Sequence, residues 1–256
     1  MPVDPLQVLH AAQRAMPSSL SSAALGTLLI AGATGALGNE LVRRLAGSHR
    51  YAHTRVLARE PMRDGLRGIE TVLVPDALIA KWPRVSAHTA IVSFDPPRLY
   101  HDRERALWLP EPAKLPELAR WLRACGVTTL AIVQPHAQGG MPEALKRGLA
   151  SLDEQAVVAL GFDRVILVRS AQKPAALKYR NVGEKLAAWM LSITRFMVPS
   201  SEQPVRASKV AELVDVALAL APPGVHIAAP ELVWRASQGD LRGVAQRWLV
   251  PDVSGG

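Results

Sequence analysis

Cysteine is almost missing from this chain of 256 residues: Cys125 is the single example. One cysteine excludes an intrachain disulfide and any metal site built from several cysteines, so we expect no metal site. Cys125 lies in LARWLRACGV, whose apolar spacing predicts a helix. A buried structural thiol is the expected role there, with a reactive thiol as the alternative. This use of cysteine fits a reducing, cytoplasmic compartment.

Long apolar runs are also missing. No stretch of about 18 apolar residues occurs, so the sequence predicts no transmembrane helix. The first 16 residues, MPVDPLQVLHAAQRAM, lack a basic segment followed by an apolar one, so a secretory signal is not expected. Hydrophobic residues make up 49% of the chain and charged residues 20%, which is typical of a globular protein with a sizeable core.

Acidic residues are outnumbered, which leaves a formal net charge of +8. No basic run is interleaved with aromatic residues, so the sequence does not favour nucleic-acid binding. Spread positive charge instead attracts anions in general, such as a polyanionic cofactor or an acidic protein partner. The excess is mostly arginine distributed along the chain, as the first third shows: Arg43, Arg44, Arg50, Arg55, Arg59, Arg63 and Arg67.

The most informative stretch is TLLIAGATGALGNELVRRL, from Thr27 to Leu45. It predicts a buried strand, then a turn with three glycines, then a helix. Gly32 permits the tight exit from the strand, Gly35 lets backbone N–H groups approach a phosphate, and Gly38 lets the helix lie against the strand. The free N–H groups at the start of that helix would face an anion.

The glycine spacing is G-x-x-G-x-x-G, with Thr34 and Ala36 between the glycines and Leu37 before the last one. This spacing resembles the short-chain dehydrogenase/reductase superfamily, in particular its atypical NAD(P)H-binding branch. Two later segments, LDEQAVVALGFDRVILVR and KYRNVGEKLAAWML, resemble the branch that includes the Tat-interacting reductase-like proteins. The resemblance implies a Rossmann domain that binds NADP(H) or NAD(H).

Strand and helix patterns alternate from Thr27 onward, which predicts an α/β fold with a doubly wound parallel sheet. We expect residues 1–25 to form a short helix and tether, and residues 26–256 to form the Rossmann domain. Residues from about 171 to 256 are expected to contribute a small C-terminal lobe. The strands are predicted at 28–30, 54–58, 69–74, 87–94, 128–134, 164–169 and 225–228.

Arg59 ends the second predicted strand, 21 positions after Gly38. An acidic residue near this position binds the ribose hydroxyls of NAD, whereas an arginine can bind the 2′-phosphate of NADP. The segment AREPMR, which ends at Arg63, resembles the corresponding segment of NADP-preferring members of the superfamily. The sequence therefore predicts NADP(H) as the cofactor, with a solvated arginine at a strand end as the alternative reading of Arg59.

The ligand crevice of an open α/β sheet lies at the carboxyl ends of its strands. The fourth predicted strand ends at Ser93, Phe94 and Asp95, which we expect beside the adenine or the ribose. The fifth ends at Gln134, which is expected to contact the cofactor, and His136. Together with the glycine turn and the two arginines, these residues complete the predicted cofactor site.

A tyrosine and a lysine expected for catalysis are missing. The resemblance implies a tyrosine acid and a lysine four residues later, but those positions are held by Lys146 and Ala150, and no tyrosine lies between Tyr100 and Tyr179. Loss of a general acid removes a rate factor of about 10²–10⁴.

Two hypotheses follow from the missing pair. The first is an NADP(H)-binding protein with little or no catalysis, which senses redox state or acts as an assembly partner or homodimer. The second is an NADPH-dependent oxidoreductase acting on a small carbonyl or quinone-like substrate, with Lys146 or His136 as relocated catalytic groups. A solvated helix lysine and a loop histidine remain the alternatives for these two residues.

Overall fold

The computed structural model describes residues 26–61, 68–74, 78–95, 102–107, 112–136, 152–171 and 205–250. The expected helix and tether at residues 1–25 lie outside these ranges, as do Arg63, Lys146 and the KYRNVGEKLAAWML segment.

A seven-stranded parallel sheet forms the centre of the molecule, with strand order β3-β2-β1-β4-β5-β6-β7. Its central strands are continuous apolar runs, as expected where helices cover both faces of a sheet. The strands are β1 (Thr27–Ala31), β2 (His53–Ala58), β3 (Glu70–Leu73), β4 (Thr89–Ser93), β5 (Thr129–His136), β6 (Arg164–Ala171) and β7 (Gly224–Ala228).

Helices cover both faces of the sheet and bury two separate apolar cores against it. The helices are α1 (Gly35–Ala46), α2 (Asp102–Ala106), α3 (Leu115–Ala124), α4 (Leu152–Val158), α5 (Ala207–Leu220), α6 (Pro230–Ser237) and α7 (Leu241–Leu249). The helices α1, α5, α6 and α7 pack on one face, and α3 and α4 pack on the other. The predicted doubly wound α/β fold is therefore confirmed.

The helix α1 shows how the sequence pattern produces this packing. Its buried side chains Leu37, Leu41, Val42 and Leu45 recur at helical spacing and line one side. They contribute to the same core as α5, which lies against α1. The glycine turn is thus held between a buried strand and a helix that is fixed by its own apolar face.

Residues 205–250 continue the main architecture. The strand β7 pairs in parallel with β6, with Val168 opposite Ala228 at the end of the ladder. Helices α5, α6 and α7 join the core that also contains α1. Of the small lobe expected over residues 171–256, the structure describes residue 171 and residues 205–250, and the lobe itself stays a prediction.

Several boundaries differ from the sequence prediction. The strand β5 continues two residues further than expected, to His136, because its ladder with β6 extends to the pair His136 and Ala171. Of the helix predicted at 144–159, the structure describes Leu152–Val158. The helix α6 was not predicted.

Among the described residues, no helix is both long enough and apolar enough to cross a membrane.

Candidate functional site

Two of the three glycines of the turn adopt a backbone conformation that glycine favours. Gly32 has φ 83° and Gly35 has φ 66°, in the left-handed region that side chains other than glycine rarely adopt. Thr34 lies between them with an exposed fraction of 1%. The backbone therefore turns sharply from β1 into α1 and brings the N–H groups of α1 toward the carboxyl edge of the sheet.

Gly38 lies against the turn with no room for a side chain. A Cβ atom there would lie 2.5 Å from the carbonyl oxygen of Gly32 and 2.6 Å from the carbonyl carbon of Ala33. Both neighbours are backbone atoms, so neither can rotate away. This geometry agrees with the packing role expected of Gly38, and its part in binding a cofactor stays a prediction.

Asp95 joins the two loops that meet at the centre of the sheet. Its carboxylate Oδ2 accepts a hydrogen bond of 2.8 Å from the backbone N–H of Leu37, and its carbonyl oxygen accepts one of 2.6 Å from Thr34 Oγ1. The strand order changes direction between β1 and β4, and open α/β sheets bind ligands in the crevice at this switch point. Asp95 therefore lies at this crevice and connects the end of β4 to the turn after β1.

Glu104 contacts the same turn from α2. Its Oε2 accepts a hydrogen bond of 3.2 Å from the N–H of Gly35, and its Oε1 accepts one of 3.0 Å from Asn39 Nδ2. Asn39 also donates to the carbonyl oxygen of Gly35 at 2.6 Å. The exposed fraction of Glu104 is 3%, so its carboxylate is held on the turn in a buried environment.

These contacts show what the glycine turn can bind. Two backbone N–H groups at the start of α1 donate to carboxylate oxygens, which stand where the oxygens of a phosphate would lie. The backbone of the turn therefore fits an anion such as a pyrophosphate. The carboxylates of Asp95 and Glu104 already accept hydrogen bonds from these N–H groups, so an incoming anion would have to replace the carboxylates.

The other residues expected near the cofactor flank this turn. Ala36 is exposed. Ser93, at the end of β4, has an exposed fraction of 1%, and its Oγ has no hydrogen-bond partner. Phe94 is half-buried, packs against the core to which α3 contributes, and donates from its backbone N–H to the carbonyl oxygen of Val133 at 3.3 Å.

Arg59 follows β2 directly and its side chain is exposed. Its backbone N–H donates to the carbonyl oxygen of Ala106 in a hydrogen bond of 2.7 Å. The segment 102–107 is thus fixed to the end of β2 through Ala106 and to the glycine turn through Glu104. Because β1 and β2 are neighbours, Arg59 lies on the same edge of the sheet as the turn.

The carboxyl end of β5 carries two further predicted residues. Gln134 is half-buried and lies opposite Arg169 of β6, and His136 is the last residue of β5. Lys146, the other expected catalytic residue, lies outside the described residues. The backbone of His136 lies at the carboxyl edge of the sheet, and its catalytic role stays a prediction.

A buried ion pair lies beside Gln134 and was not expected from the sequence. Arg169 Nη2 lies 2.7 Å from Glu154 Oε2, and the side chains have exposed fractions of 4% and 2%. The pair connects β6 to α4. A buried pair of this kind is weak evidence for stability, but removal of one partner leaves a buried charge uncompensated.

Sequence reasoning missed Glu104 and Asn39. Asn39 had a local signal, because it lies one helical turn after Gly35 on α1. Glu104 had none, since its segment DRERA is separated from the turn by the whole of β2, β3 and β4.

The expected structural role of Cys125 agrees with its burial, since its exposed fraction is 6%. Burial also raises the pKa of its thiol above the ordinary value, which disfavours the reactive thiolate. Among the residues that the structure describes, no group of three or more His, Cys, Asp or Glu residues could hold a metal ion.

Known proteins show only distant structural similarity to this chain. No protein-family model matches the chain, and no curated protein matches its sequence. Among solved structures, a nucleoside-diphosphate-sugar epimerase from Staphylococcus aureus is similar, with 14% identity, a TM-score of 0.46, and 82% of this chain and 77% of that one covered.

Two other solved structures have comparable values. The Bordetella bronchiseptica enzyme WbmG in complex with NAD has 12% identity and a TM-score of 0.44, over 84% of this chain and 79% of that one. The UDP-N-acetylglucosamine 4-epimerase from Bacillus cereus has 13% identity and a TM-score of 0.43, over 82% and 85%. These similarities are distant, and the class of this protein, a Rossmann-type doubly wound domain, rests on its own sheet order.

Proposed function

We propose that this chain is an NADP(H)-binding Rossmann protein, similar to atypical short-chain dehydrogenases/reductases, that works as a cofactor-dependent sensor or assembly partner. The observation that carries the proposal is the glycine turn at the switch point of the sheet. Its two left-handed glycines and closely packed Gly38 present backbone N–H groups, two of which donate to carboxylate oxygens of Asp95 and Glu104.

The preference for NADP(H) is supported by the position of Arg59. It is exposed and follows the strand next to β1, where the adenosine ribose of a bound dinucleotide lies in this fold. A guanidinium can bind a 2′-phosphate through paired hydrogen bonds, which an acidic residue would repel. Arg63 is proposed to add a second positive charge.

Weak or absent catalysis is supported by the sequence. NADPH would supply a hydride, but reduction of a carbonyl also needs a proton donor at the developing oxyanion. The positions implied for the tyrosine and lysine carry Lys146 and Ala150. A bound cofactor would then act by stabilising one state of the protein, through its preferential binding to that state.

A titration and a turnover assay test this function. We expect calorimetry to detect binding of NADPH and NADP⁺, and we expect purified protein not to oxidise NADPH with a panel of quinones, aldehydes and enones. Absence of binding to any nicotinamide dinucleotide would contradict the proposal.

The position of His136 at the carboxyl edge of β5 favours one alternative, an NADPH-dependent oxidoreductase with a relocated acid. Sustained NADPH oxidation that is abolished by His136→Ala or Lys146→Ala would establish that alternative.

A further inference from the structure

Two acidic side chains occupy the N–H groups on which the proposed function depends. Asp95 accepts from Leu37, and Glu104 accepts from Gly35, over 58 and 69 residues of sequence respectively. Neither contact is local, so neither is a capping interaction within α1. Both are produced by the tertiary arrangement of β4 and α2 over the turn.

We propose that Asp95 and Glu104 form a built-in competitor for the dinucleotide, and that they set its affinity. This inference rests on the proposed function. The carboxylates present anionic oxygens to the donors that a pyrophosphate would use, so protein and cofactor exclude each other from the same N–H groups.

The competition is strong because the competing groups are held in place. Asp95 is fixed through its backbone by the hydrogen bond of 2.6 Å from Thr34, and Glu104 is held by Asn39 at 3.0 Å. The segment of Glu104 is further fixed by the 2.7 Å bond between Arg59 N–H and the Ala106 carbonyl. Groups held in position lose little freedom on binding, so they compete at a high effective concentration.

Electrostatics act in the same direction. Two carboxylates beside the turn place negative charge next to the position of an anionic pyrophosphate, and charges that are removed from water are poorly screened. The apparent dissociation constant equals the intrinsic constant divided by the fraction of molecules whose N–H groups are free. Affinity for NADPH is therefore lower in the native protein than in one without these side chains.

Calorimetric titration with NADPH tests the inference on the full chain. Asp95→Ala and Glu104→Ala should each lower the dissociation constant, and the variant with both substitutions should lower it about tenfold or more, the effect of about one charge-assisted hydrogen bond. Asp95→Asn keeps an oxygen acceptor without the charge, so it should give a smaller gain than Asp95→Ala.

Asp163→Asn is the matched control. It removes the same charge from an exposed residue just before β6. This residue lies at the amino-terminal ends of the strands, whereas the turn lies at their carboxyl ends, so the affinity for NADPH should be unchanged. Circular dichroism on each variant establishes that it folds, and Asp95→Asn and Glu104→Gln preserve side-chain shape if Asp95→Ala does not fold.

The outcomes separate the two proposals. If the folded variants bind NADPH no more tightly than the wild type, the proposal that Asp95 and Glu104 compete with the dinucleotide is overturned. Failure of every protein, including the double variant, to bind any nicotinamide dinucleotide would overturn the proposed function itself.

Discussion

At the scale of single residues, Asp95 illustrates how one side chain can change the meaning of a motif. It was expected beside the adenine or the ribose, and the structure places its carboxylate on the N–H of Leu37. The glycine motif alone indicates a phosphate site. In this protein the N–H donors of the motif are already bound to carboxylates, so an anion must compete with those carboxylates for the same donors.

Arg59→Ala is the residue-level test of cofactor preference. We expect it to weaken NADPH binding about tenfold or more, because it removes a charge-assisted interaction with the 2′-phosphate, and to change NADH binding much less. Calorimetry with both dinucleotides measures the difference. Arg247→Ala, which removes an exposed arginine from α7, serves as the control. An equal loss for both cofactors would exclude a role for Arg59 at the 2′-phosphate.

At the scale of elements, the turn depends on the close contact between α1 and the end of β1. The helix is held by its apolar face, with Leu41 fully buried and Leu45 nearly so, and Gly38 allows its first turn to touch the backbone of Gly32 and Ala33. The direction of the N–H groups of α1 follows from this contact. A shift of the helix would move them away from the crevice.

Gly38→Ala tests this contact. The added Cβ would meet two backbone atoms, so we expect the free energy of unfolding to fall by about 1–3 kcal/mol and the binding of NADPH to be lost. Urea denaturation measures the first effect and calorimetry the second. Gly239→Ala is the control, since a Cβ there meets nothing within 4 Å, and it should change stability by about 0.5 kcal/mol or less. Equal effects of the two substitutions would show that the contact is unimportant.

At the scale of the whole molecule, one sheet with two apolar cores places the carboxyl ends of β1, β2, β4 and β5 at one edge. The net charge of +8 gives the molecule a field that attracts anions. The buried pair of Arg169 and Glu154 secures β6 to α4 near that edge. The fold thus gathers the candidate site from the ends of four strands that are distant in sequence.

Binding of NADPH should stabilise this whole structure. At a concentration of 100 times the dissociation constant, the ligand adds about 2.7 kcal/mol, which for a chain of this size raises Tm by about 5–10 °C. Differential scanning calorimetry measures the shift, and adenosine, which lacks a pyrophosphate, is the control ligand. An unchanged Tm at a saturating NADPH concentration would contradict specific binding to the folded state.

Much of the fold could be predicted from local patterns. The apolar run of β1, the glycine spacing and the helical spacing of Leu41 and Leu45 are all contained within a short stretch, so they are visible without a partner. The same holds for the predicted strands, each of which overlaps a strand of the sheet. The helix α6 was missed although Pro230, Val233 and Ala236 recur at helical spacing, because its segment PELVWRAS is only eight residues long and begins with a proline two residues after a predicted strand.

The sequence by itself determined the strand–turn–helix unit and the parallel α/β architecture, because each depends on residue types and spacings that are local in the chain. Only the tertiary structure decided which groups lie on the N–H donors of the turn. Asp95 and Glu104 reach them from 58 and 69 residues away, after the chain has crossed the sheet through β2, β3 and β4. No local sequence pattern predicts such a contact, because it forms only when the parallel strands bring their carboxyl ends to the same edge of the sheet.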